Sequence, residues 1–314
     1  MEGRGARYLD WARRLDRADP GKPIKRPEPT PDLELRPRRL SVTRIEALRR
    51  DPYAVYAEQI LELIPLAEIG ATLGAREIGT MWHAALQAFA EGTPADEAPD
   101  AKWARLLADA ERAFAPLASD PAFATLRWPR IKDALEKFLA FDAERRDEAS
   151  RLFFELGGAL EIEIPGAPAF TLTARADRIE LLKGGGAAII DYKTGTPPSD
   201  KEVVAGFAPQ LTLEAAMLKR GAFRQVGAEP ADVLIHFKLG GAEGGKPKTF
   251  APKDRMVADV VEEHFSELKK LLAQFARFET PYLPRPFPKF LGRGSDYDHL
   301  ARLGEWASSG GDEP

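Results

Sequence analysis

The stretch Ala188-Ile189-Ile190-Asp191-Tyr192-Lys193-Thr194-Gly195 runs from strong β-formers straight into charge. An apolar strand ordinarily ends in a turn or alternates with solvent-facing polar residues. Here a carboxylate and an ammonium stand two residues apart, so both point to one face of the strand. Fourteen positions upstream, Asp177 lies in a second strand-like run, Phe170-Thr171-Leu172-Thr173-Ala174-Arg175-Ala176-Asp177-Arg178-Ile179. Two aspartates and a lysine converging on one sheet face make the parts of a divalent-metal site with an activated water.

Lys183-Gly184-Gly185-Gly186 is the turn between the two strands. Asp177 and Asp191 share a face only if the loop has an odd residue count or a bulge shifts the register. A three-residue loop at 184–186 pairs Lys183 with Ala187, sets Asp177 opposite Lys193 and leaves Asp191 on the diagonal. Opposed Cβ atoms then lie ~5 Å apart and diagonal ones ~7–8 Å, within bridging range around one ion. Mg²⁺ takes oxygen ligands and keeps several waters, with Mn²⁺ as the alternative ion. The Tyr192 carbonyl is a further candidate ligand, and Lys193 can orient or help deprotonate the attacking water and offset phosphate charge. The plain alternative is an exposed hairpin whose Asp and Lys form a surface ion pair. The apolar lead-in and the second aspartate across the turn favour the metal site.

Two more segments carry candidates. Gly79-Thr80-Met81-Trp82-His83 sets His83 one step off the buried stripe Ile78, Trp82, Leu86, Phe89 of a helix expected over about 75–90. A lone helical histidine is more often a satisfied boundary residue than a ligand. Pro209-Gln210-Leu211-Thr212-Leu213-Glu214 puts Gln210 and Glu214 one turn apart on one helix face, which by itself reads as a polar surface.

The 314 residues hold one large domain or two small ones, and 44% hydrophobic content supports a core. The net charge of −4 is uneven, about +6 over residues 1–50 and about −10 over the rest. Carboxylates of a metal site count as negative until the metal arrives, so an acidic body does not exclude DNA. The sequence contains no cysteine, which excludes disulfides, zinc-thiolate sites and cysteine-held iron–sulfur clusters. No apolar run approaches a membrane span and the N-terminus lacks a signal-peptide core, so a soluble cytoplasmic protein is expected.

Helical spacing over residues 1–18 is followed by a Pro- and charge-rich stretch to Arg39, expected as a linker and a remnant of a larger chain. The folded body is expected over 40–308, with a flexible tail at 309–314. Thr43 with Glu46 fits a capping box opening a helix to about Arg50. Helices are further expected over about 54–63, 100–118, 129–147, 199–220 and 254–278, and strands over about 152–164, 170–182, 187–193 and 232–239. Helices first, then a mixed sheet flanked by helices, give one α/β domain with a helical N-terminal subdomain. Gly240-Gly241-Ala242-Glu243-Gly244-Gly245-Lys246-Pro247 nearly matches a P-loop, but proline replaces the Mg²⁺-binding Ser/Thr, so it reads as a loop. His236 reads as structural.

Taken in order, Leu40-Ser41-Val42-Thr43-Arg44-Ile45-Glu46 with Asp51-Pro52-Tyr53, Gly79 to His83, Arg175-Ala176-Asp177-Arg178-Ile179, Ile190-Asp191-Tyr192-Lys193-Thr194-Gly195 and Pro209-Gln210-Leu211 resemble the RecB-family branch of the PD-(D/E)xK nucleases. The likeness extends closely to the C-terminal nuclease domain of AddB and covers about 36–308. Asp296-Tyr297-Asp298-His299-Leu300-Ala301-Arg302 is similar to the tail of such subunits. The resemblance implies a restriction-endonuclease-like mixed sheet and a Mg²⁺-dependent deoxyribonuclease. It also implies His83, Asp177 and Asp191 as metal ligands and Lys193 as the catalytic lysine, with Gln210 near the active site and DNA. The implied setting is double-strand-break repair on single-stranded DNA ends beside an AddA-like helicase–nuclease subunit, with no membrane partner. Many such domains hold an iron–sulfur cluster through four cysteines, one in the segment matching Asp51-Pro52-Tyr53. This chain has none, so packing must tie its terminal segments together. Many also carry tyrosine where this chain has Glu214, which adjusts the site or faces solvent. The rival reading is a silent nuclease-like domain that guides DNA or holds a partner; the intact His83, Asp177, Asp191, Lys193 set argues against it.

Overall fold

The strand at 187–193 has no exposed face, because the sheet around it is covered on both sides. A computed structural model describes residues 2–16, 24–66, 73–92, 97–241, 243–287 and 294–307. The expected tail at 309–314 and residues 17–23 of the expected linker lie outside these.

The first half of the chain runs α1 (Glu2–Leu15), β1 (Arg39–Ser41), α2 (Val42–Arg50), α3 (Pro52–Val55, continued by a π-helical turn at Tyr56–Ile60), α4 (Ala75–Glu91), α5 (Pro99–Ala113) and α6 (Trp128–Glu148). The second half runs β2 (Ala149–Ile164), β3 (Ala167–Leu182), β4 (Ala187–Lys193), α7 (Asp200–Val204), α8 (Gln210–Lys219), β5 (Ala231–Lys238), β6 (Lys246–Thr249), α9 (Val257–Phe275) and α10 (Leu303–Trp306). The six strands form one mixed sheet in the order β1-β3-β4-β5-β6, with β2 paired to β3. On one edge of β3, β1 pairs with residues 171–173 and β4 with 178–181, so residues 174–177 lie at a fork.

Alternate residues of β4 feed two cores. Ala187 and Ile189 pack with Leu211, Leu213, Val260 and Leu268 beneath α8 and α9. Ile190 and Tyr192 pack with Trp82, Phe89, Leu106 and Phe138 of α4, α5 and α6. This explains an apolar run without alternation. Ile189 and Ile190 are fully buried, each stabilising by about 1.5–3 kcal/mol relative to exposure. The opposite face of β3 holds a buried ionic network: Arg178 Nη1 donates to Asp142 Oδ1 at 2.6 Å and Arg145 Nε to Glu180 Oε2 at 2.9 Å. An inward arginine at 178 leaves Asp177 on the other face.

The β3–β4 register differs from expectation by two residues. Leu181 pairs with Ala187 and Arg178 with Ile190. The loop is the odd-numbered 183–185, because Lys183 N donates to Glu148 O at 2.9 Å while Leu182 N still reaches Gly186 O at 3.0 Å. The aspartates therefore share a face as parity requires, but Asp177 stands opposite Asp191 and Lys193 takes the diagonal.

Three local expectations are also corrected. α2 is capped by Ser41, whose hydroxyl accepts Arg44 N at 3.2 Å, and not by Thr43. β1 runs through Ser41 straight into the helix, so the first turn starts earlier. The helix expected over 199–220 is two helices, broken where Gly206 adopts φ +72° ahead of Pro209. Residues 246–249 form the edge strand β6, the kind of position where Pro247 is tolerated.

The early and late segments are tied by polar contacts. Arg36, buried, donates through Nη1 to Phe275 O and Arg277 O, each at 2.9 Å, and through Nη2 to Phe278 O at 2.8 Å, capping the end of α9. Tyr53 N donates to Leu283 O at 3.3 Å, and Asp51 Oδ1 accepts Arg285 N at 3.2 Å. Arg285 Nε reaches Asp298 Oδ1 at 2.7 Å, and Tyr297 Oη reaches Leu63 O at 2.6 Å. Tyr53, Ala57, Tyr297 and Ala301 form a small apolar cluster beneath them. Among the described residues no helix is long and apolar enough to cross a membrane.

Candidate active site

The fork in the sheet brings the acids of β2, β3 and β4 together under α4 and α8. Continuing the β3–β4 ladder one step past Arg178 and Ile190 sets Asp177 across from Asp191. Asp177 Oδ2 accepts the backbone N–H of Tyr192 at 2.7 Å. Its other oxygen, Oδ1, lies 3.5 Å from His83 Nδ1, and Glu155 Oε1 lies 3.5 Å from the same nitrogen. His83, Glu155 and Asp177 thus offer three ligand atoms within 4.8 Å of one another. One imidazole nitrogen and two carboxylates suit a divalent ion of the Mg²⁺/Mn²⁺ type. Glu155 holds φ +49° within β2, a left-handed conformation that costs a non-glycine residue about 1–3 kcal/mol.

Asp191 is held in a second, contiguous cluster. Its Oδ1 accepts Gln210 Nε2 at 2.7 Å and Lys193 Nζ at 3.1 Å, and its Oδ2 lies 3.0 Å from His236 Nδ1. Gln210 Oε1 accepts a second bond from Lys193 Nζ at 2.7 Å, and Gln210 Nε2 reaches Glu214 Oε1 at 3.2 Å. Gln210 is the first residue of α8, so its amide reaches across the strand ends while residues 211–218 of that helix are all buried.

The charges are unevenly set. Burial, then the Asp191 charge, pushes Asp177 up to about 7. Burial pushes Asp191 upward too, but His236 and Lys193 outweigh it and hold the group at about 2. Lys193 is raised although burial opposes it, because Asp191 stabilises the ammonium. Glu214 is pushed well up by burial and by the Asp191 and Asp177 charges, toward its neutral form. The Glu155 contact raises His83 against burial. A pocket of acids that suppresses its own ionisation is relieved by a cation, so the donor set fits one.

A family profile of the PD-(D/E)XK nuclease superfamily matches residues 39–289. The chain belongs to that superfamily. An uncharacterized protein of Rickettsia bellii is 33% identical over 188 residues, covering 60% of this chain and 22% of its own length. An uncharacterized protein of Rickettsia typhi is 34% identical over 193 residues, covering 59% and 22%. The chain therefore spans under a quarter of these relatives. The crystal structure of SSO0001 aligns with 86% of this chain and 87% of its own at 13% identity, with a TM-score of 0.32. The mixed sheet flanked by helices is the PD-(D/E)XK fold.

Of the residues expected at the PD-(D/E)XK site, Asp191, Lys193 and Gln210 share one cluster and His83 and Asp177 the other, joined through the Tyr192 N–H. The Tyr192 side chain points away into the second core, against Phe138 and Phe237. Glu214 is buried, so its solvent-facing alternative is corrected: α8 has no exposed face there. Glu155 carries no signal of its own in the sequence, and His236, expected as structural, lies against the Asp191 carboxylate. Phe154 pairs with Arg178 and Leu156 with Ala176, which brings Glu155 beside Asp177; a register shift between Ile162 and Ile164 hides this, since an unbroken count from the Pro165-Gly166 turn sets Glu155 opposite Ala176. His236 pairs with Asp191 in a parallel ladder whose crossover hides the register from sequence.

Proposed function

We propose that this chain is a divalent-metal-dependent deoxyribonuclease that hydrolyses phosphodiester bonds as an exonuclease or single-strand endonuclease. The observation that carries the reading is the facing pair Asp177 and Asp191, with Lys193 beside one and His83 and Glu155 beside the other. His83, Glu155 and Asp177 would hold the ion, with Asp191 and the Tyr192 carbonyl at its margin. When bound, the ion polarises a phosphate oxygen and lowers the pKa of an attacking water.

The chain's own groups supply the rest. Lys193 is an ammonium in this arrangement, which suits it to offsetting charge that develops on the phosphate more than to removing a proton. Gln210 bridges Lys193 Nζ and the Asp191 carboxylate, fixing the lysine's direction. His236 holds the other oxygen of Asp191 and so sets that carboxylate's plane. Glu214 takes the remaining Gln210 N–H without adding a full negative charge.

The biological setting in this reading is that of an AddB-type nuclease of the RecB family. It acts on single-stranded ends in double-strand-break repair, with an AddA-like subunit unwinding the duplex. Residues 40–308 would be the nuclease unit, with residues 1–39 a helix and linker ahead of it. The test incubates single-stranded DNA with Mg²⁺ or Mn²⁺ and the wild type, Asp191→Ala or Lys193→Ala. Metal-dependent cleavage by wild type alone is expected. Equal, background cleavage by all three would leave the silent-domain reading in its place.

A further inference from the structure

We propose that the cleft beside Thr194 and Gly195 is a binding site for the sugar–phosphate backbone of single-stranded DNA, gripped by Arg127 and Arg130. The proposal rests on the nuclease reading and names where its substrate lies. The cleft has a volume of about 600 Å³ and is lined by the start of α4, by Arg127, Arg130 and Ile131 at the start of α6, and by Thr194, Gly195, Gly240 and Gly241.

Four observations converge. The cleft opens next to the site: Thr194 follows Lys193 directly, and Trp82, a lining residue, precedes His83 on α4. Its charged lining consists of the two arginines, with no acidic residue among the lining groups. Both arginines are exposed, and neither makes a hydrogen bond or ion pair with a described residue. Most arginines near the sheet, by contrast, are committed, as Arg145, Arg175 and Arg178 are. The floor is apolar, built by Ile78, Trp82, Ile131 and Leu239.

An apolar floor under two free guanidinium groups matches an unpaired strand, whose base and sugar faces need cover while its phosphates need cations. The end of α4 adds little, because the Glu77 carboxylate already takes the Gly74 N–H at 2.8 Å. The phosphate contacts therefore fall to Arg127 and Arg130.

The experiment is fluorescence anisotropy of a labelled oligo-dT strand in EDTA, so that neither metal nor turnover enters. The variants are Arg127→Glu/Arg130→Glu and a charge-matched control, Lys269→Glu/Arg277→Glu, at exposed positions around the end of α9. Acidic residues at the start of α6 suit that end of a helix, so the first variant keeps its fold, as its melting curve checks. At 50 mM salt the Arg127/Arg130 variant should bind at least tenfold more weakly than wild type. Its slope of log affinity against log salt should be shallower by about 1.4, as two lost phosphate contacts require. The control should bind like wild type. Wild-type affinity in the arginine variant, an equal loss in both variants, or no binding by wild type would each overturn the proposal. Failure of the nuclease reading looks different: the strand binds at the cleft and is never cut with metal present.

Discussion

Asp177 faces Asp191 across the β3–β4 ladder, yet the two carboxylates sit at opposite ends of the titration scale, at about 7 and about 2. Asp177 has the Tyr192 N–H and a distant His83; Asp191 has Lys193, Gln210 and His236. The pair is an ionised carboxylate beside one that is reluctant to ionise.

Stability should follow pH accordingly. A folded Asp177 near 7 favours the protonated form, so its contribution is complete below the ordinary 3.8 and is lost as pH rises through about 7. Asp191 acts in the reverse sense, contributing above 3.8 and losing that contribution as pH falls through about 2. The metal-free chain should therefore lose a few degrees of Tm between pH 5 and pH 8, and Asp177→Asn should flatten that decline. Mn²⁺ should raise Tm more at pH 8 than at pH 5. Superimposable scanning-calorimetry profiles for wild type and Asp177→Asn would count against this account.

Glu155 should be a ligand-strength residue. Glu155→Gln is expected to weaken Mn²⁺ binding by tenfold or more, since it removes one of two carboxylates on the His83 nitrogen. Titration calorimetry reads this directly, and unchanged affinity would remove Glu155 from the site.

Gln210 and His236 should act through Asp191 and Lys193. Gln210→Ala is expected to lower kcat by about 10–100-fold with Mn²⁺ affinity near wild type. His236→Ala removes one of the two partners of Asp191 Oδ2, leaving Lys193 Nζ at 3.1 Å, and should cost about 1–3 kcal/mol of stability as well as activity. His236→Asn, which can still donate, should recover part of both. A loss confined to stability in His236→Ala would mark the histidine as packing only.

Asp298→Ala should loosen the join between the early and late segments. It frees Arg285 Nε and Ser295 N from a half-buried carboxylate, at a cost of about 1–3 kcal/mol by urea denaturation. A midpoint equal to wild type would show that this join adds nothing to the fold.

The alternation rule made the shared face of Asp177 and Asp191 legible, because parity survives a displacement of two residues. It could not place the turn, since Lys183 chose between continuing the ladder and bonding to Glu148 O, a contact 35 residues away. Strands of three or four residues such as β1 and β6 carry no periodicity to read, and Pro247 argued against the second. α8 looked polar on one face because Gln210 and Glu214 lie one turn apart, whereas tertiary packing buries Glu214. Glu155 sat unremarked among Phe153, Phe154 and Leu156, since one acid in an apolar strand looks like its solvent face. The family motifs, by contrast, are local strings, so His83, Asp177, Asp191, Lys193 and Gln210 are legible without knowing the register, and the fold groups them at the fork.

The polar join of Asp51 and Tyr53 to Leu283, Arg285 and Asp298 also sets an order of events during synthesis. The site residues all lie between His83 and His236, so the sheet and its acids can assemble while later residues are still being translated. Asp51 and Tyr53 must wait some 230 residues for their partners. Among the described segments, the docking of residues 283–298 onto residues 51–53 therefore follows the assembly of the sheet.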